Sequence, residues 1–178
     1  MTCLRRRALV GAALALPLSR YAVAQPLTCG KQTIAQTEGP FFSPDSPKRA
    51  SFLERGAKNV FVVTGVVLSP QCKPVANALV DLWHADEEGE YDNQGFRYRG
   101  HQFTDAQGRY RFETIVPAVY PGRTRHYHVK VQAPARRILT TQLYFQDEPA
   151  NRRDGIYRPE LEMKVAKAEG RFDFVVDA

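Results

Sequence analysis

From Val60 onward the chain is written in short runs of β-branched and aromatic residues: Val60 to Leu68, Ala78 to Trp83, Arg109 to Ile115, Arg125 to Gln132, Ile138 to Phe145 and Phe172 to Val176. Each has the length and make-up of a strand. Between them stand Ser69-Pro70-Gln71, Asp86-Glu87-Glu88-Gly89, Asp105-Ala106-Gln107-Gly108 and Tyr120-Pro121-Gly122, residues that favour tight turns. No long 3.6-residue apolar period is present, and only Tyr157 to Ala168 suits a short helix. Strands at this spacing predict an all-β fold, an antiparallel β-sandwich over residues 59–178. Residues 25–58 are rich in Pro, Gly, Ser and Thr, and predict an irregular N-terminal arm lying over the core.

The extreme N-terminus departs from this pattern. Arg5, Arg6 and Arg7 precede an apolar run from Ala8 to Leu18, and Ala22-Val23-Ala24 is a small-x-small site. This is the layout of a cleaved export signal over residues 1–24. The consecutive arginines leave both the general secretory and the twin-arginine routes open. The apolar run is 11 residues, too short for a permanent membrane span, which needs roughly 20.

The 178 residues carry a formal charge of +6. Cleavage after Ala24 removes four basic residues and no acid, taking the charge from +6 to +2 and with it the case for nucleic-acid binding. It also removes Cys3, leaving Cys29 and Cys72 as either a disulfide in an oxidising compartment or two unrelated thiols.

Candidate chemistry concentrates in Arg123-Thr124-Arg125-His126-Tyr127-His128-Val129-Lys130. On a strand, residues two apart share a face, so His126 and His128 project side by side and can clamp one metal ion. Alone, such a pair is equally at home as surface or core histidines. Tyr91 lies in the turn after Trp83-His84 and Tyr120 lies in Val119-Tyr120-Pro121-Gly122, six residues before His126, and each alone reads as turn or core filler. A phenol is a poor ligand except for a strong Lewis acid, so a tyrosine-rich site favours ferric iron over zinc. His84 should face away from the site as a structural residue, and His101 should be a solvated loop residue. Arg97, Tyr98 and Arg99 read as a solvated basic loop or as contacts to a substrate carboxylate.

Leu82-Trp83-His84-Ala85-Asp86 with Gly89-Glu90-Tyr91-Asp92, then Arg99-Gly100, Thr104-Asp105, Gly108, Pro117 to Gly122, His126-Tyr127-His128 and Leu139-Thr140-Thr141-Gln142 together resemble the intradiol ring-cleavage dioxygenases. That group includes catechol and hydroxyquinol dioxygenases and the protocatechuate 3,4-dioxygenase β chain. The similarity extends from Thr37 to Phe145. The resemblance implies one Fe(III) per chain, with Tyr91, Tyr120, His126 and His128 as ligands. It further implies that Arg123 stabilises charge on the substrate, with Arg125 as the alternative, and that Gln142 supports the arginine. Glu38-Gly39-Pro40 matches a segment at the edge of the family's active site. The implied reaction cleaves a catechol-type ring between its two hydroxyls with O2, giving a cis,cis-muconate-type diacid.

Thr64 to Leu68, Pro74 to Ala78 and Thr104 to Phe112 are also similar to non-catalytic transthyretin-like and carboxypeptidase-regulatory-like sandwiches. Those modules have no use for two histidines and two tyrosines together. A zinc or copper protein using His126 and His128 is a further alternative, without a Cys-x-x-Cys or His-Glu-x-x-His run to support it. The helical dimerisation segment of catechol dioxygenases has no counterpart before Val60, which leaves the oligomeric state open.

Overall fold

The computed structural model describes residues 29–178, so the expected export signal lies outside the described residues. Nine strands follow one another: β1 Val60–Leu68, β2 Leu79–Trp83, β3 Arg99–Phe103, β4 Arg109–Ile115, β5 His126–Gln132, β6 Leu139–Tyr144, β7 Lys164–Ala166, β8 Glu169–Arg171 and β9 Phe174–Val175. They form two sheets. One is antiparallel, in the order β3-β2-β5-β6, and the other runs β4-β1-β8-β7 with β9 also paired to β1. The second sheet is mixed, because β8 and β9 lie in series along the same edge of β1, both parallel to it.

Between those two short strands the backbone of Phe172 comes so close to β1 that a Cβ on Gly65 would lie 1.7 Å from the Phe172 carbonyl oxygen. Only glycine fits there. The Asp173 carboxylate accepts the Val66 N–H at 3.0 Å, satisfying β1 where pairing is interrupted.

Alternation along the strands divides the antiparallel sheet into two unlike faces. Val80, Leu82, Tyr127, Val129, Val131 and Leu143 belong to the buried core between the sheets. Phe61 bridges the layers through ring contacts to Tyr127 and Phe145. The other face carries the polar set. Register aligns Gln142, His128, Trp83 and Arg99 across four strands, and next to them Thr140, Lys130, Asp81 and His101.

The arm covers this polar face as a roof, in keeping with its irregular sequence. It crosses the strands in turn: the Gln36 N–H donates to Thr140 on β6, Gly39 lies over His128 on β5, Phe42 packs on Trp83 of β2, and Ser46 donates to Asp81 at 2.9 Å. Its continuation bonds to His101 on β3 and then to Glu113 on β4, closing the side of the sandwich between the two sheets. Cys29 and Cys72 form a disulfide with Cα atoms 5.3 Å apart, tying the start of the arm to the turn after β1. Among the described residues no helix is long and apolar enough to cross a membrane.

The segment 157–168 and His101 differ from the sequence reading. Tyr157 to Ala168 holds a single 3-10 turn at Pro159–Leu161 and then half of the β7–β8 hairpin, turned at Lys167 with φ 57°. Its residues are good helix formers, but their apolar positions, Leu161, Met163 and Val165, recur every second residue. His101 is not in a solvated loop. It sits half-buried on β3, with Nδ1 3.1 Å from the Ser46 hydroxyl.

His84, just past β2, is buried among Phe52, Tyr98 and Tyr127, with its two nitrogens bonded to the Ala85 carbonyl and the Thr114 hydroxyl. Burial depresses its pKa to about 3. The unfolded chain binds this proton near pH 6.5 and the folded chain does not, so the group favours folding fully above pH 6.5 and loses that contribution as pH falls toward 3. Urea unfolding between pH 3 and 7 should show stability rising with pH, with a slope shallower by about one proton in His84→Gln.

Candidate metal centre

The centre is assembled at one end of the roofed face. His126 and His128, two apart on β5, project together beneath the arm, and their Nε2 atoms lie 3.1 Å apart. Tyr91 reaches the same point from the loop after β2, its hydroxyl 3.1 Å from His128 Nε2. Tyr120 stands beside them, its ring centroid 5.9 Å from that of Tyr91 and 5.8 Å from that of His126. The structure therefore brings together all four side chains singled out in the sequence.

The surroundings fix each donor. His126 Nδ1 lies 2.6 Å from the Thr124 carbonyl, which makes Nδ1 the protonated nitrogen and turns the Nε2 lone pair inward. Trp83 stacks on His128 at 4.9 Å and 9°. Phe41 of the roof stacks on Tyr91 at 4.3 Å and 12°. Gly39 has φ +75°, and a Cβ there would press to 3.3 Å from His128 Cε1, so the roof passes directly over this ring.

Electrostatically the pocket keeps both imidazoles and the Tyr91 phenol neutral. Desolvation, helped by the Arg123 cation, lowers the His126 pKa to about 4, and burial and His126 hold His128 well below the usual imidazole range. Both imidazoles thus offer lone pairs at neutral pH. Burial, reinforced by Tyr120, pushes the Tyr91 phenol far above its ordinary value. Only a strongly charged acceptor of its oxygen would make it ionise.

This donor set fits a metal ion. The Nε2 atoms of two neutral imidazoles and a phenol oxygen crowd one point, His128 Nε2 lying 3.1 Å from both His126 Nε2 and the Tyr91 oxygen. Among the described residues no group of three or more His, Cys, Asp or Glu side chains is arranged to hold a metal. An ion at this point must therefore draw on the phenols, and phenol oxygen favours a hard, highly charged ion.

Arg123 approaches from the side of Tyr120. Its Nη1 donates to the Tyr120 oxygen at 3.3 Å and its Nη2 to Gln142 Oε1 at 2.5 Å. Gln142 is fixed in turn by the Tyr144 hydroxyl, which donates to Oε1 at 2.9 Å, and by its own bond to the Thr37 carbonyl. Arg125 pairs instead with Glu148 at 2.5 Å.

The 97–99 segment is not a solvated basic loop. Arg97 pairs with Asp86 and Glu87, while Tyr98 and Arg99 are buried. The Arg99 guanidinium donates to the Asp92 carbonyl through Nε and Nη2 and to the Phe41 carbonyl through Nη1, stapling the roof to the loop that bears Tyr91. Sequence reading missed this role because arginine in an apparent loop gives no signal of burial.

A dioxygenase family model matches residues 37–176, and the chain belongs to the intradiol ring-cleavage dioxygenases, a family generally dependent on Fe(III). It is 35% identical over 129 residues to the protocatechuate 3,4-dioxygenase beta chain of Burkholderia cepacia, covering 62% of this chain and 55% of that one. It is 31% identical over 142 residues to a hydroxyquinol 1,2-dioxygenase of Corynebacterium glutamicum, covering 66% and 47%. The chain spans about half the length of the curated relatives it matches. Among solved structures it resembles the dioxygenase domain of a dioxygenase–carbohydrate-binding protein fusion from Streptomyces sp. SirexAA-E. That match has TM-score 0.79 and 50% identity, and covers 83% of this chain and 99% of that one. The 3-chlorocatechol 1,2-dioxygenase of Rhodococcus opacus 1CP superposes with TM-score 0.73 at 27% identity, covering 80% and 71%.

Replacing Arg99 with Met should strand the Phe41 and Asp92 carbonyls and cost about 2–4 kcal/mol of stability in denaturant unfolding. Arg99→Lys should recover only part of the loss, because one ammonium cannot reproduce the three-pronged contact.

Proposed function

We propose that this chain is a non-haem Fe(III) dioxygenase that cleaves a catechol-type ring between its two hydroxyls, taking both atoms of O2 into a cis,cis-muconate-type diacid. The observation that carries this reading is the convergence of His126 Nε2, His128 Nε2 and the Tyr91 oxygen within 3.1 Å contacts, with Tyr120 alongside. His126, His128, Tyr91 and Tyr120 would hold the ion. Ferric iron bound there would supply the Lewis acidity that deprotonates a catechol and makes its ring reactive toward oxygen.

The remaining chemistry belongs to the protein's own groups. The Tyr120 oxygen, once its phenol is ionised, would take up a proton released by an incoming hydroxyl. Arg123, permanently cationic, faces the same space and favours negative charge spreading into the ring. Gln142 keeps the Nη2 edge of that arginine turned inward. The roof at Gly39 and Phe41 shields the donors from water, which strengthens each of these electrostatic effects. The donor set of two histidines and two tyrosines differs from the two-histidine, one-carboxylate triad of Fe(II) oxygenases, in keeping with cleavage between the hydroxyls. The proposed substrate is a small catechol, with catechol, protocatechuate and hydroxyquinol as the compounds to compare.

The proposed location is outside the cytoplasm. Support comes from the leader-like residues 1–24 and from the Cys29–Cys72 disulfide, a bond at home in oxidising compartments.

Ferric reconstitution of the chain from Gln25 onward tests the reading. The expected protein is coloured, binds about one iron per chain, changes its visible band on anaerobic addition of a catechol and yields the diacid when oxygen is admitted. Tyr120→Phe should alter the band, and Arg123→Gln should lower kcat/KM about 100-fold with iron content unchanged. A colourless chain that retains no ferric iron would refute the enzyme and leave a binding module.

A further inference from the structure

Arg123 is held at three corners, and only two of them face the metal centre. Nη1 and Nη2 meet Tyr120 and Gln142, while Nε donates to Asp154 Oδ2 at 2.9 Å. The carboxylate takes the Nε edge alone, in contrast to the side-on pairing that would occupy one of the Nη groups as well. Both inward prongs therefore stay available.

Asp154 is itself rigidly set. Its side chain is 1% exposed, against 17% for Arg123. Oδ2 also accepts the Thr124 N–H at 3.0 Å and Oδ1 the Ile156 N–H at 3.0 Å. Behind it, the 3-10 turn Pro149–Arg153 is anchored by Asn151, which donates to the Phe145 carbonyl at 2.9 Å and accepts from the Thr124 hydroxyl at 2.7 Å. Burial works against the Asp154 carboxylate, but its bonds to Ile156, Arg123 and Thr124 outweigh burial and hold its pKa below the usual value.

We propose that Asp154 is a positioning residue: it grips Arg123 by the Nε edge and so aims the Nη edge at the Tyr120 and Gln142 side of the centre. The inference rests on the reading of Arg123 as the substrate-facing cation. Without the carboxylate, two contacts to neutral partners remain, and the guanidinium is free to pivot about them. A loss of aim affects the step in which charge develops more than it affects initial binding.

A double-mutant cycle on the ferric-loaded chain from Gln25 onward tests this, using Asp154→Asn, Arg123→Gln and the pair. Asp154→Asn is expected to lower kcat 10- to 100-fold with KM within threefold and iron at about one per chain. In the Arg123→Gln background the same change should cost less than twofold, because the group it acts through is gone. Equal losses in both backgrounds, or full activity in Asp154→Asn, would overturn the proposal. Asp154→Glu, which retains the charge and moves it by one methylene, should still lower kcat at least threefold, and wild-type kcat in that variant would also count against it. Asn151→Ala loosens the same turn without touching Arg123 and should lower Tm while keeping kcat within about threefold. A kcat loss there equal to that of Asp154→Asn would assign the effect to the turn at large.

A readout independent of turnover keeps the two readings separate. In the 15N-labelled apoprotein, a protected Arg123 Nε–H resonance, assigned by its absence in Arg123→Gln, should vanish in Asp154→Asn. Its persistence would show that Asp154 does not hold the arginine, whatever the activity. A wild-type chain that binds no iron and cleaves no catechol would instead refute the proposed function.

Discussion

Everything at the site depends on the alternation of one strand. Because β5 sends Tyr127, Val129 and Val131 into the core, it must send His126, His128 and Lys130 to the other face, and core packing locks that register. A slip of one residue would bury the imidazoles between the sheets and expose the aromatic anchors. The placement of the two imidazole nitrogens is thus enforced by hydrophobic packing on the reverse side of the strand. Lone pairs stripped of water and turned toward one point are unfavourable in isolation, and the core supplies the free energy that holds them there.

The arm answers a second constraint. A sheet face carrying Gln142, His128, Trp83, Arg99, Asp81 and His101 needs partners for its polar atoms without being flooded by solvent. An irregular segment meets this need because its backbone is not consumed by a ladder of its own. Ser46 and Pro47 satisfy Asp81 and His101, the Thr37 carbonyl receives Gln142, and the Phe41 carbonyl receives Arg99. Phe41 and Phe42 then supply the apolar cover over Tyr91 and Trp83.

What was legible in the sequence follows from this division. Strands with one apolar face announced themselves by alternation, and the His-x-His pair was readable because strand geometry alone puts both rings on one side. The strand Arg99–Phe103 was not legible. Its residues Arg, Gly, His, Gln and Phe carry no β-branched run, since Arg99 is buried and His101 half-buried beneath the roof instead of lying on an apolar core. Tyr98, entering that strand with φ 51°, adds a left-handed turn that sequence does not announce. Tyr91 and Tyr120 were separable from ordinary turn tyrosines only through the family resemblance, and Asp154, 31 residues beyond Arg123, gave no local signal.

The disulfide changes what a cut in the backbone would mean. Cys29 and Cys72 are 43 residues apart, and the entire roof lies within the ring they close. A single protease nick between them would leave both fragments covalently joined, and the roof could lift without departing. Such a nicked protein would run as one species until reduced, so an intact mass on a non-reducing gel would be no assurance that the cover over the histidines was still in place.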